Sequence, residues 1–181
     1  MRVALTLSGT GFEDEAQAIV DELVKTHPNH TIINLVLVPI VKASIALARK
    51  EAAQAIEELK IVAPYELGFA AVLAPIYLRA QAYLMLGAGE EPVQEFQRLL
   101  DHRGSEPFSP FHSVAKLGLA RAQAQMGDVE ASSKNYESFI SNWSNADDDI
   151  PVLIEAREEY RQLKSKRDSA QKARTVRASR K

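Results

Sequence analysis

The sequence predicts an all-α fold made of repeated helical hairpins, and two observations carry that prediction. Residues that favour helix, above all Ala, Leu, Glu and Gln, are abundant, whereas the 8 Gly and 8 Pro are few and scattered. Small and bulky residues also recur at fixed distances from four turn positions. With 181 residues, of which 46% are hydrophobic, the chain can bury the core of one ordinary domain.

The repeat is centred on turns at Gly11, Lys50, Gly87 and Gly127. Small residues stand seven positions before these turns, at Ala4, Ala43, Ala80 and Ala120. Bulky apolar residues stand nine positions after them, at Val20, Leu59, Phe96 and Tyr136, and twelve positions after them, at Leu23, Val62, Leu99 and Phe139. Antiparallel helices approach closely where a small side chain on one accepts a bulky side chain from the other, so each unit is predicted to be a hairpin. Because a left-handed turn favours Gly, Lys50 is the weakest match.

The period of the repeat bears on its type. The turns lie 39, 37 and 40 residues apart, whereas a tetratricopeptide repeat has about 34 residues. We place the extra residues between hairpins, in segments 27–32, 63–68 and 104–110, each of which contains Pro, Gly or Asn. HEAT-type repeats of about 40 to 47 residues are not excluded by the period alone. The placement of Ala and aromatic residues favours a right-handed solenoid of about four tetratricopeptide-like hairpins.

The ends of the apolar segments add to this prediction. Pro39 and Pro75 interrupt apolar stretches, so we expect a helix start or a bend at each. A last amphipathic helix, 151–163, is predicted to cap the C-terminal end of the array. Residues 1–164 form the predicted repeat domain, with a net charge of −8, and residues 165–181 form a basic tail of net charge +6. We expect the tail to be solvated, and disordered or fraying, because it offers almost no apolar surface.

Four segments carry a resemblance to a known type of protein. They read YLRAQAYLMLGAG at 77–89, EFQRLLDHRG at 95–104, LGLARAQAQMGD at 117–128 and DIPVLIEAREEYRQL at 149–163. The chain resembles, over roughly residues 2–163, the C-terminal tetratricopeptide-like segment of some bacterial serine/threonine protein kinases and winged-helix regulators. The resemblance implies a sensory or scaffolding segment whose catalytic or DNA-binding domain lies N-terminal to it. The abrupt start in a first helix also suggests a piece of a longer protein.

No motif in the sequence predicts catalysis, a cofactor or a metal ion. Segment 7–14 contains two Gly but lacks the Lys of a phosphate-binding loop, and kinase motifs are absent. His27 and His30 have no third ligand near them in sequence, and the aspartates at 147–149 lack the spacing of a calcium loop. His102 is interpreted as part of a helix end. The absence of Cys excludes disulfides and thiol nucleophiles.

The predicted function is binding of a protein or peptide in the concave face formed by the first helices of the hairpins. Its candidate residues lie on those helices, off the Ala stripe: Ser44, Tyr77, Gln81, Met85, Arg121 and Gln125. Ordinary solvated helix faces are the alternative interpretation. A second functional hypothesis is binding of nucleic acid or another anionic surface by the tail, although the tail has no aromatic residue for stacking. The sequence shows no signal-peptide core and no membrane span, and a cytoplasmic location is favoured for the chain as given.

Overall fold

The all-α prediction is confirmed by the computed structural model, which describes the backbone of residues 2–178 and the side chains of residues 3–169. Within the described residues the chain forms nine α-helices and no strand: α1 (Arg2–Ser8), α2 (Glu13–Thr26), α3 (Val38–Ala48), α4 (Ala52–Leu59), α5 (Ala74–Leu86), α6 (Glu91–Asp101), α7 (Phe111–Gln125), α8 (Val129–Asn142) and α9 (Pro151–Ala178). A π-helical turn, Ile33–Leu37, leads into α3. Two 3₁₀ segments, Lys60–Tyr65 and Arg103–Ser105, follow α4 and α6.

The helices pack as consecutive pairs. α1 lies against α2, α3 against α4, α5 against α6 and α7 against α8, and each odd-numbered helix up to α7 also touches the next odd-numbered one. The hydrophobic core accordingly divides into four local clusters that follow one another along the chain. In the last cluster, Leu153 and Ala156 of α9 join buried residues of α7 and α8. The core is therefore assembled from neighbouring pairs of helices.

The predicted turn positions are confirmed. The backbone is left-handed at Gly11 (φ 87°), Lys50 (φ 66°), Gly87 (φ 64°) and Gly127 (φ 80°). Lys50 adopts this conformation although it carries a side chain, because its backbone and that of Glu51 close the end of α3, with hydrogen bonds of 3.0 Å to the Leu47 oxygen and 2.8 Å to the Ala46 oxygen. The predicted small residues are all fully buried at Ala4, Ala43, Ala80 and Ala120.

The two prolines mark changes of backbone at the starts of helices, as expected. Pro75 is the second residue of α5, where its missing N–H leaves no intrahelical bond unmade. Pro39 is the second residue of α3, but helical backbone precedes it. There the Val38 N–H bonds to the Ile33 oxygen, five residues back, so the helix changes from π to α register at the proline.

The last helix is longer than the sequence predicted. Among the residues whose side chains are described, Leu163 is the last that packs on the core, as expected, but the backbone stays helical to Ala178. The helical backbone contradicts the expected disorder of residues 165–178, whereas the expected exposure to solvent is confirmed for residues 165–169. Segment 165–178 contains Lys, Arg, Gln and Ala and neither Gly nor Pro, so its intrinsic propensity favours continuation of the helix. The expected tail continues over residues 179–181, which lie outside the described residues.

One contact between hairpins requires a glycine. The buried ring of Phe96 in α6 lies so close to Gly118 in α7 that a Cβ added at Gly118 would stand 2.3 to 2.7 Å from three ring atoms. The Phe96 ring has no room to change rotamer, because it is fully buried in the cluster formed by residues of α5, α6 and α7. Gly118 is therefore a packing residue, and the repeat pattern in the sequence did not single it out.

We predict that Gly118→Ala destabilises the protein by about 1 to 3 kcal/mol, because the added methyl group overpacks the contact with Phe96. Chemical denaturation followed by circular dichroism measures the change. Gly104→Ala is the matched control, since a Cβ at Gly104 would meet nothing within 4 Å. Equal stabilities for the two variants would contradict the packing role assigned to Gly118.

Candidate binding surface

The segment between α4 and α5 is held by a buried network of ionic hydrogen bonds. Glu66, only 4% exposed, accepts from Arg79 at 2.9 Å through one carboxylate oxygen and from Arg98 through the other. Arg79 also donates to Glu95 at 2.7 Å. Burial lowers the pKa of Arg79, but its bonds to Glu95 and Glu66 outweigh that effect and the net pKa is raised. The network ties this segment to both helices of the third hairpin.

The same segment contains two strained residues. Val72 and Leu73 have φ values of 47° and 61°, in the left-handed region that L side chains disfavour. Such residues cost about 1 to 3 kcal/mol each and persist only where the surrounding structure holds them. Here a chain of turns precedes them, with hydrogen bonds from Gly68 to the Tyr65 oxygen (2.8 Å) and from Ala71 to the Gly68 oxygen (3.0 Å). Residues 66–73 are therefore held in one conformation, and we call them the wall.

This wall closes one side of a large apolar pocket with a volume of about 810 Å³. The opposite side comes from helical residues that include Leu5 of α1, Leu37 of the π-helical turn and Ile40 of α3. None of the described residues that line the pocket carries a charge. The volume lies in the range of about 300 to 1,000 Å³ that is typical of ligand sites. Phe69 lines the pocket and is itself 95% exposed.

A smaller cavity of about 220 Å³ lies on the other side of the wall. It shares Leu67, Phe69 and Val72 with the apolar pocket, and its remaining lining includes Glu106 and Pro107 from the segment between α6 and α7. The two inserted segments, which the sequence placed between hairpins, therefore meet here. Phe108, next to Pro107, is 97% exposed.

The turn that contains Glu106, together with the start of α7, holds three buried side-chain atoms without a hydrogen-bond partner: Oε2 of Glu106, Oγ of Ser109 and Nδ1 of His112. One further buried side-chain atom is unpartnered in the part of the chain that the structure describes. Nε2 of His112 lies 2.8 Å from the backbone oxygen of Glu106. Since a carbonyl oxygen only accepts, Nε2 is the donor, and Nδ1 of the neutral ring is left as an acceptor.

Three of the predicted groove residues lie together on α5. Tyr77 is half-buried, stacks on Phe111 with ring centroids 4.8 Å apart, and accepts a hydrogen bond of 2.9 Å from Gln81. Burial raises the pKa of the Tyr77 hydroxyl. Met85, one turn after Gln81 on α5, is 43% exposed. Tyr77 therefore packs between core clusters, while Met85 offers apolar surface to solvent.

Ser44 and Gln125 make contacts within the chain. Ser44 is 8% exposed, and its hydroxyl oxygen accepts a hydrogen bond of 2.8 Å from Ser8 of α1. Gln125 is exposed, and its amide donates to the Leu84 oxygen at 3.2 Å. Ser44 thus links α1 to α3, and Gln125 links α7 to α5. Neither residue lines the apolar pocket.

Arg121 also has partners within the chain. Its guanidinium binds Glu159 of α9 through two hydrogen bonds of 2.9 Å each, and it bonds Glu155 at 3.2 Å. The Tyr136 hydroxyl donates to the same Glu159 carboxylate at 2.9 Å. Bidentate pairs of this kind are among the stronger ionic contacts. Arg121 therefore fastens the last helix to α7, a role that the sequence pattern did not indicate.

We predict that Arg121→Met lowers the free energy of unfolding by about 1 kcal/mol or more, because the carboxylate of Glu159 loses both guanidinium donors. Arg157→Met is the matched control. It removes a single ion pair to Asp148, which is 89% exposed, and should change stability by less than about 0.5 kcal/mol. Thermal and denaturant unfolding test the pair of variants, and an equal effect for both would refute the fastening role.

The stability of the chain should fall at alkaline pH. Burial, followed by the hydrogen bond to Glu159, raises the pKa of Tyr136 above its ordinary value. The unfolded chain therefore releases this proton near pH 10, whereas the folded chain retains it to higher pH. The contribution is present below about pH 10 and is lost as the pH rises beyond that. Denaturant titrations above about pH 10 should show that the free energy of unfolding falls less steeply with pH for Tyr136→Phe than for the wild type. An identical dependence on pH for the two proteins would contradict the raised pKa of Tyr136.

The part of the chain that the structure describes has neither a candidate metal cluster nor a helix that could span a membrane. Among the described residues, no group of three or more His, Asp or Glu side chains is placed to hold a metal ion. In the same part of the chain, no helix has the length and apolarity that crossing a bilayer requires. His102 ends α6, with its Nδ1 2.8 Å from the Arg98 oxygen.

Sequence reasoning missed the residues that build the pocket. Phe69 and Leu67 stand in or beside an inserted segment that the sequence identified only as a helix break. Glu66 is one of 24 acidic residues, and nothing local distinguishes it. The one available signal was the long apolar stretch after Gly68, which exceeds what α5 needs.

Comparison of the chain with protein-family models, curated proteins and solved structures finds no match.

Proposed function

We propose that this chain is a non-catalytic helical-repeat module that binds an apolar segment of a partner protein. The observation that carries the proposal is the uncharged pocket of about 810 Å³ between α1, α3 and the wall before α5. Burying apolar surface contributes roughly 25 cal/mol per Å², so such a pocket supplies most of the affinity for a bulky apolar side chain. Exposed apolar patches of this kind mark interaction sites.

The exposed rim favours a protein segment over a small enclosed ligand. Phe69 projects almost completely into solvent, and Leu67 and Tyr65 beside it are more than one-third exposed. A small molecule inside the pocket would leave this rim in water, whereas a peptide or helix laid across the pocket covers it. Aromatic residues in a partly exposed apolar surface are typical anchors of protein interfaces.

The tetratricopeptide-like solenoid remains part of the proposal. In its support, the helices pair as four successive hairpins, and the odd-numbered helices touch one another in order. Each of the four left-handed turns follows a fully buried Ala by seven residues, which is the small-before-turn pattern of a close-packed helical hairpin, and the 37 to 40 residues between turns exceed the standard repeat by the inserted segments. A role as the sensory segment of a bacterial kinase or transcriptional regulator rests on the resemblance alone. The basic tail is the competing binding element, for nucleic acid or another anionic surface.

Selection of a random peptide library displayed on phage against the full chain tests the proposal. A selected peptide, made synthetically with a fluorescent label, should bind in a polarisation assay. Phe69→Ala should weaken that binding by about fivefold or more, since truncating an interface anchor costs about 1 kcal/mol. Because Phe69 is exposed, the melting temperature of the Phe69→Ala variant should equal that of the wild type. Met85 lines neither the pocket nor the smaller cavity, so Met85→Ala should leave the binding unchanged.

The controls separate the pocket from other surfaces. Glu57→Ala and Glu130→Ala change exposed carboxylates on α4 and α8 and should leave binding unchanged. Tyr77→Ala and Arg121→Ala, the variants suggested by the sequence, test the concave face instead, because neither residue lines the pocket. Both side chains have internal contacts, so loss of binding counts for the concave face only where the melting temperature is unchanged. Binding that survives Phe69→Ala and disappears when residues 165–181 are deleted would reject the pocket in favour of the tail.

A further inference from the structure

We propose that the cavity of about 220 Å³ beside the pocket binds a cationic side chain, Arg or Lys, of the partner, with Glu106 as its counter-ion. This inference rests on the proposed function and adds the chemistry of the bound segment. The occupant of the whole surface is a peptide segment whose bulky apolar residues enter the apolar pocket and whose basic residue enters the cavity.

The first argument is the state of the Glu106 carboxylate. Its Oε2 is buried and has no hydrogen-bond partner. A buried carboxylate oxygen without a partner is energetically unfavourable unless a cation or a donor compensates it. Glu106 precedes α7, yet no amide of the first turn bonds to Oε2, so capping of the helix does not account for its position.

The second argument is the kind of group that is missing. Glu106 supplies a carboxylate to the cavity, and a carboxylate only accepts hydrogen bonds, whereas the unpartnered atoms of Ser109 and His112 lie outside the lining. A guanidinium or an ammonium carries only donors. The negative charge of Glu106, which alone of the three lines the cavity, selects such a cation over a neutral amide.

The third argument is shape. The cavity is smaller than the roughly 300 Å³ at which sites for whole small molecules begin, but it can hold one long side chain. Leu67, Val72 and Pro107 supply apolar walls for the methylene stem of Arg or Lys, which packs along apolar surface while its head reaches a charge. The exposed ring of Phe69 also lines the cavity and offers a face to a cation.

The fourth argument is continuity with the apolar pocket. The two spaces share Leu67, Gly68, Phe69 and Val72, so a segment that crosses this wall enters both. The apolar pocket has no charged lining and cannot orient a partner by itself. In addition, residues 1–164 carry a net charge of −8, which attracts a basic segment at long range.

A double-mutant cycle tests the inference. From the library peptides selected on the wild-type chain, one that contains Arg or Lys is chosen. It is synthesised in two versions, with Arg at that position and with citrulline, the neutral analogue of Arg. Replacing Arg by citrulline should weaken binding to the wild type by about tenfold, and Glu106→Gln should abolish that difference. Glu130→Gln, an exposed carboxylate on α8, should preserve it. The inference is overturned if the selected peptides contain neither Arg nor Lys. It is also overturned if citrulline weakens the binding to wild type and to Glu106→Gln equally.

A second probe keeps the inference testable if no peptide is selected. Propylguanidinium, titrated into the isotopically labelled full chain, should shift the amide NMR signals of residues 105–112 in a saturable manner, and Glu106→Gln should remove those shifts. Saturable binding there without any peptide binding would reject the proposed function and support the cation site. Peptide binding without guanidinium shifts and without coupling to Glu106 would reject the cation site and leave the proposed function standing.

Discussion

The close approach of neighbouring helices at small residues is the constraint on which the rest of the structure depends. Ala43, Ala80 and Ala120 have no exposed surface, and at Gly118 even one additional carbon atom would collide with Phe96. Because the helices lie so close, every odd-numbered helix up to α7 can touch the next one as well as its own partner. The odd-numbered helices thereby form a row, and the apolar pocket opens where α1 and α3 of that row meet an inserted segment.

The inserted segments have more structure than a connection requires. Segment 66–73 contains a carboxylate held by two arginines and two residues with positive φ. Burying an ion network adds little net stability, since desolvation offsets the attraction, and the strained backbone costs stability outright. A loop that only joined α4 to α5 would need neither feature. The physical account that fits both is that this wall is held in one shape for the surface it presents.

The parts of the fold that local chemistry determines could be predicted from the sequence. The left-handed turns, even at Lys50, and the fully buried Ala stripe follow from spacing along single hairpins. The end of α9 was misjudged because apolar periodicity stops at Leu163, whereas helix propensity does not. Long-range contacts escaped prediction altogether: Glu66 meets Arg98 32 residues later, and Arg121 meets Glu159 38 residues later. Nothing near these residues in sequence indicates their partners.

An uncharged pocket lies next to a carboxylate with one buried oxygen, and this arrangement bears on the selectivity of the proposed site. Apolar burial is non-directional, and one methylene group more or less in an apolar pocket changes affinity by only about 1 to 3 kcal/mol. Such a pocket accepts many bulky side chains and rejects few of them. A desolvated carboxylate discriminates far more sharply, because a partner that covers it without supplying a cation leaves a charge buried and unpaired. In the proposed complex, Glu106, placed across the wall from the pocket, therefore disfavours neutral and acidic segments that the apolar surface alone would accept.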